Sequence, residues 1–283
     1  MIALLSGLGG CGEGRNDVAK GQFGSSSELQ QQASDPSKAK AARHNPGKLV
    51  HVIVALCDNV HQGIVPVSAS LGNGEDPERN LYWGAAFGVK TFFTKSKDWR
   101  LVGEARDPKY AVMERLVFKH RTRDVYLVAD AYKGAEIQRA IGDFLLASSG
   151  GLNEAVEVTV DSRKLDLNIG GGADLLAFVG HNGLMDFRLP EYPKKVDESR
   201  REAIILSCAS KSYFSTPLRR TGAEPLLWTT NLMAPEAYIL KAALDGWILG
   251  EDGEKIRQRA AESYNSYQNC GLKSAQGLFA SGW

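Results

Sequence analysis

The chain has 283 residues, of which 43% are hydrophobic and 24% charged, an ordinary globular balance with enough apolar material for a substantial core. This excludes a chain disordered throughout, and four cysteines are too few to staple a fold of this length. Lys and Arg number 34 against 33 Asp and Glu, a net charge of +1 that leaves no electrostatic footprint for nucleic acid, and no apolar run nears the roughly 20 residues a bilayer span needs.

Residues 1–11 begin MIALLSGLGG and reach Cys11. Leu8-Gly9-Gly10-Cys11 resembles a bacterial lipobox, although no Lys or Arg precedes the apolar run. That resemblance implies lipidation of Cys11, a membrane tether and placement at the cell envelope; a frayed terminus of a cytoplasmic protein is the alternative. Residues 12–47 are rich in Gly, Ser, Gln, Asn, Lys and Asp and contain SSSELQQQ. Ordering them would cost entropy with little burial, so a flexible linker is expected there. A single α/β domain is expected over residues 48–283.

Leu49–Leu56 (LVHVIVAL) is a short apolar run rich in β-branched residues, which suits a strand covered on both faces. Glycines and prolines make Gln62–Asn80 a long loop. Leu81–Phe93 spaces its large residues for a helix. Trp99–Ala105 and Ala111–His120 are ambiguous. Asp124–Ala129 is the next clear strand, and Ala135–Ala147 the helix after it. Val156–Val160 suits a small strand. Ala173–Gly180, Ala203–Ser207 and Pro225–Thr230 read as further strands, the first two ending at His181 and Cys208. Ala234–Gly250 and Glu254–Tyr267 read as helices. Strands alternating with helices imply a mostly parallel central sheet flanked by helices, a three-layer α/β arrangement. Leu71-Gly72-Asn73-Gly74 and Gly170-Gly171-Gly172 lack phosphate-loop spacing and read as turns.

In such a sheet, chemistry collects beyond the carboxyl ends of the strands. His181 and Cys208 both stand there, at the ends of consecutive strands. Singly, each is more often structural: the cysteine a small buried hydrophobe, the histidine a satisfied polar group. Together they supply a nucleophile and a base, since imidazole can take a thiol proton. The backbone N–H groups of Asn182, Gly183 and Cys208 could hold the oxyanion of a tetrahedral intermediate.

Phe178–Gly183 (FVGHNG) followed by Ile204–Ser210 (IILSCAS) resembles the histidine and cysteine motifs of the caspase-like clan of cysteine peptidases, which includes caspases, metacaspases, legumain, clostripain and gingipains. The order agrees, with the cysteine 27 residues after the histidine. VYLVADAYKGAEIQRAIGDFL before the histidine and PLLWTTNLMAPEAYILKAALDGW after the cysteine also resemble that clan's flanking elements. The resemblance implies a caspase-like fold, a His181/Cys208 dyad, hydrolysis of peptide bonds, a peptide or protein substrate and no cofactor. Two positions depart from the pattern. Asn182 separates His181 from Gly183, and Leu206 stands where metacaspases carry Asp and caspases Gln. No preference for the residue before the scissile bond transfers.

Asp58, Ser210 and Trp228 are the candidate substrate contacts, although an Asp at a strand end more often caps a loop and a Trp there more often packs the core. Four competing readings use the same groups. Cys57, His61, His181 and Cys208 have the elements of a zinc site without its paired close spacing. Cys57 with His61 could form a different nucleophile and base. The domain could also be a non-catalytic caspase-like module that binds peptides or proteins at the envelope, or a transpeptidase in which an amine intercepts the acyl-enzyme.

Overall fold

The computed structural model describes residues 45–283. Cys11 and residues 12–44 of the expected linker lie outside them. Asn45, inside the expected linker, donates from Nδ2 to Gly172 O at 2.8 Å and accepts from Asn168 N at 2.8 Å.

The strands are β1 (Lys48–Ala55), β2 (Trp99–Lys109), β3 (Val112–His120), β4 (Val125–Tyr132), β5 (Asn153–Val160), β6 (Arg163–Gly170), β7 (Leu175–Val179), β8 (Glu202–Leu206), β9 (Glu224–Thr229) and β10 (Phe279–Ala280). The helices are α1 (Val89–Thr94), α2 (Ile137–Ser149), α3 (Ser210–Thr221), α4 (Ala237–Ile248), α5 (Gly253–Gln268) and α6 (Leu272–Leu278). Eight strands form one mixed sheet in the order β10-β9-β8-β7-β1-β4-β3-β2. The five central strands from β9 to β4 run parallel, and β2, β3 and β10 are antiparallel additions at the two edges. β5 and β6 make a separate two-stranded hairpin.

Alternation sorts the side chains of each strand between two cores. Val50, Val52 and Val54 of β1 join Phe93 of α1 and residues of α4, α5 and α6 on one face. Leu49, Ile53 and Ala55 join α2, α3 and the β5–β6 hairpin on the other. Helices therefore cover both faces, as a parallel sheet of continuous apolar strands requires. Phe144 of α2, Phe178 of β7 and Phe214 of α3 meet at centroid distances of 5.9, 6.3 and 6.0 Å. This triad clamps the middle of the sheet to both helices of that face.

The two ambiguous segments are the β2–β3 hairpin. The expected helix over Leu81–Phe93 shrinks to α1, and residues 81–88 are turns. Glycines account for this. A Cβ on Gly84 would lie 2.1 Å from Glu78 O, and one on Gly88 would lie 2.3 Å from Trp83 O. The chain doubles back there more tightly than a helix allows.

A buried charge cluster joins the hairpin to the sheet. Arg115 of β3 makes a two-pronged pair with Asp130 of β4, at 2.6 and 2.8 Å, and also binds Glu154 of β5. His51 of β1 lies 3.3 Å from the same Asp130 carboxylate. Burial opposes ionisation of Asp130, but the hydrogen bonds from Arg115 and His51 outweigh it and hold the carboxyl far below the usual range. Removing one partner of such a pair leaves a buried charge uncompensated. Asp130→Asn should therefore lose about 3–5 kcal/mol at pH 7 in urea unfolding. A depressed folded-state pKa contributes stability above the unfolded value, about 3.9, and that contribution fades as pH falls through the folded value. The gap between wild type and variant should narrow below about pH 4. A constant gap from pH 7 to pH 2 would contradict this account.

Candidate active site

β7 and β8 pair in parallel with Val179 opposite Leu206. His181 and Cys208 each stand two residues beyond that registered pair. Neighbouring strands run about 4.8 Å apart, so the chain delivers both residues side by side at the carboxyl edge. Each exit is shaped locally. Gly180, at φ 152°, has no room for a side chain, since a Cβ would lie 2.9 Å from Ala55 O. Ala209 takes a left-handed conformation, φ 47° and ψ 35°, and turns the chain from Cys208 into α3. Its N–H donates to Asn231 O at 2.9 Å, which secures the turn against the loop after β9.

The two loops are tied to each other. Asn182 is fully buried, and its Nδ2 donates to Cys208 O at 2.6 Å. The imidazole of His181, 8% exposed, places Nε2 2.6 Å from Asp186 Oδ2. That same oxygen accepts the Gly63 N–H at 3.1 Å, joining the histidine loop to the long connection after β1. The Cys208 sulfur is half-buried and bracketed by Met233, accepting its N–H at 3.4 Å and facing its carbonyl oxygen at 3.5 Å. No hydrogen bond joins the imidazole to the sulfur in this arrangement. Catalytic hydrogen bonds often close only around substrate.

The three expected oxyanion donors separate into two classes. The Gly183 N–H is already engaged by His181 O at 3.1 Å. Gly183 is instead a packing requirement, because a Cβ there would meet Phe187 at 2.6 Å. The N–H groups of Asn182 and Cys208 make no hydrogen bond among the described residues. Two buried oxygens beside them, Asn182 Oδ1 and Ser207 Oγ, also lack partners.

The expected substrate contacts are all buried. Ser210 is fully buried, with its Oγ donating to Ile205 O and accepting the Thr229 N–H, both at 2.9 Å. It fastens the start of α3 to β8 and β9. Trp228 is fully buried in the α2–α3 core, whereas Met233 beside the sulfur belongs to the opposite core. Asp58 is buried and caps its own loop. Its Oδ1 accepts from Val60 N at 2.8 Å and His61 N at 3.1 Å, and its Oδ2 lies 2.9 Å from His61 Nδ1. Gly74 and Gly134 pack against it so closely that a Cβ on either would lie 2.2 Å from Asp58 Oδ2 or 2.4 Å from Asp58 Cβ.

Asp186 is the residue that the sequence pattern does not single out. The short 3-10 turn Gly183–Met185 folds it back onto the histidine, with Asp186 N donating to Gly183 O at 2.9 Å. An acidic residue shortly after a glycine-led turn was the only signal.

The residues of the zinc and Cys57 alternatives each have partners of their own. His61 turns to Asp58, His181 to Asp186, and Cys208 to Met233. Among the described residues, no group of three or more His, Cys, Asp or Glu side chains could hold a metal ion. Burial pushes the Cys57 thiol up to about 11, and the Tyr82 hydroxyl offsets only part of that. Cys57 is therefore a neutral thiol at physiological pH. Treating the folded chain with iodoacetamide at pH 8 and mapping adducts by mass should leave Cys57 unmodified, with exposed Cys270 labelled. Labelling of Cys57 before unfolding would contradict this. No protein-family model, curated protein or solved structure matches the chain.

Proposed function

We propose that this chain is a cysteine endopeptidase of caspase-like type in which His181 and Cys208 form the dyad. The observation that carries the reading is the equal offset of the two residues beyond the Val179–Leu206 pair. The fold is α/β with a mostly parallel sheet covered by helices on both faces, which is the setting the dyad needs. Its site lies at the carboxyl edge, where parallel sheets gather chemistry.

The chemistry follows from the parts. His181 accepts the thiol proton, and the sulfur attacks the scissile carbonyl carbon, forming a C–S bond. Negative charge moves to the carbonyl oxygen, where the Asn182 and Cys208 N–H groups can receive it. The C–N bond then breaks, and the imidazolium returns its proton to the departing amine. Water, deprotonated by His181, opens the thioester and releases the carboxylate product and the thiol. An amine in place of water would give transpeptidation, which product mass distinguishes. A peptide entering the site would exchange with the Met233 groups that bracket the sulfur.

Profiling with diverse peptide libraries tests the proposal. Cys208→Ala should abolish cleavage, and His181→Ala should lower kcat/KM by about 10²–10⁴-fold. Equal cleavage by wild type and Cys208→Ala would remove the sulfur from the reaction. The bracketing of Cys208 by Met233 favours a second reading, a peptide-binding module without catalysis. Saturable peptide binding without turnover would support it. If Cys11 is a lipid tether, a fatty-acid probe should label the full chain and Cys11→Ser should lose the label; an unlabelled full chain would defeat the tether.

A further inference from the structure

We infer that Asp186 is a positioning residue for His181, holding its ring in the Nε2–H tautomer so that Nδ1 is the nitrogen that takes the thiol proton. This rests on the reading of His181 as the base. An ionised carboxylate only accepts hydrogen bonds. A separation of 2.6 Å between His181 Nε2 and Asp186 Oδ2 therefore requires the proton to sit on Nε2. In the neutral ring the other nitrogen then carries the lone pair. Among the described residues, Nδ1 makes no hydrogen bond, so it is the open position of the ring.

The carboxylate is itself held in place. It accepts the Gly63 N–H, and the absence of a side chain at Gly63 lets the carboxylate approach closely, since a Cβ there would lie 2.5 Å from Asp186 Oδ1. The 3-10 turn before Asp186 adds two backbone hydrogen bonds, Met185 N to Asn182 O at 3.0 Å and Asp186 N to Gly183 O at 2.9 Å. Ring, carboxylate and the loop after β1 thus form one connected unit. Asp186 is 37% exposed, so solvent shares in its screening. Its role is orientation and choice of tautomer more than a large electrostatic gain.

The experiment reads the tautomer directly. Nitrogen-15 spectra of the histidine-labelled full chain at pH 8, above the ordinary imidazole range, are recorded for wild type, Asp186→Ala and Asp186→Asn. His181→Gln identifies the His181 signals. Wild type should show a protonated, pyrrole-type Nε2 and a pyridine-type Nδ1. Asp186→Ala should drift toward a mixture of tautomers. Asp186→Asn presents an amide that can donate as well as accept, and should lose the wild-type pattern as the proton shifts toward Nδ1. With a cleaved peptide in hand, Asp186→Ala should lower kcat about 10- to 100-fold with KM within about twofold.

A protonated Nδ1 in wild type overturns the inference, and this holds even should Asp186→Ala fail to fold. An unchanged tautomer in folded Asp186→Ala also overturns it and leaves Asp186 as a loop tie to Gly63. Expected spectra from a chain that cleaves no peptide would sink the peptidase reading while the tautomer assignment stands. The two failures are therefore distinguishable.

Discussion

The parallel pairing of β7 with β8 is the constraint on which the site depends. Both strands are short and apolar apart from Glu202 at the start of β8, and both lie in the middle of the sheet. Their register converts two residues far apart in the chain into neighbours at one edge. The Phe144–Phe178–Phe214 cluster grips β7 between α2 and α3, so a slip would have to break the aromatic packing. A one-residue shift would also turn every side chain of one strand to the opposite core.

Small side-chain contacts then do what the strands cannot. Asn182 reaches across to the Cys208 carbonyl, and Ser210 locks α3 to β8 and β9 directly behind the cysteine. Met233 brackets the sulfur from the loop after β9. Asp186 and Gly63 join the histidine loop to the connection after β1. Four loops, each following the carboxyl end of its own strand or turn, thus meet around two candidate reacting groups. The left-handed Ala209 shows that this corner is strained where the chain turns from thiol to helix.

The central strands were legible because their apolar runs are short, β-branched and bounded by turn residues. β1, β4, β7, β8 and β9 stand close to their expected places. The antiparallel β2–β3 hairpin was ambiguous because charged residues interrupt its pattern at Glu104, Arg106, Glu114 and Arg115, and two of those charges are buried only through partners elsewhere. The expected helix at Leu81–Phe93 failed because spacing says nothing about the clash that Gly84 and Gly88 avoid. Helix α3 was hidden by its low apolar content and by Pro217 within it.

Of the site, the sequence by itself determined which residues end the strands, since local hydrophobic runs set where each strand stops. His181 and Cys208 are therefore readable as edge residues. Which face a side chain takes, and which partner it meets, depends on register, on turn geometry and on chains packed from elsewhere. Those decided that Ser210 and Trp228 are core, that Asp58 caps its own loop, that the Gly183 N–H is engaged, and that Asp186 closes on the imidazole. Strand ends are local properties of the chain; contacts between loops belong only to the assembled sheet.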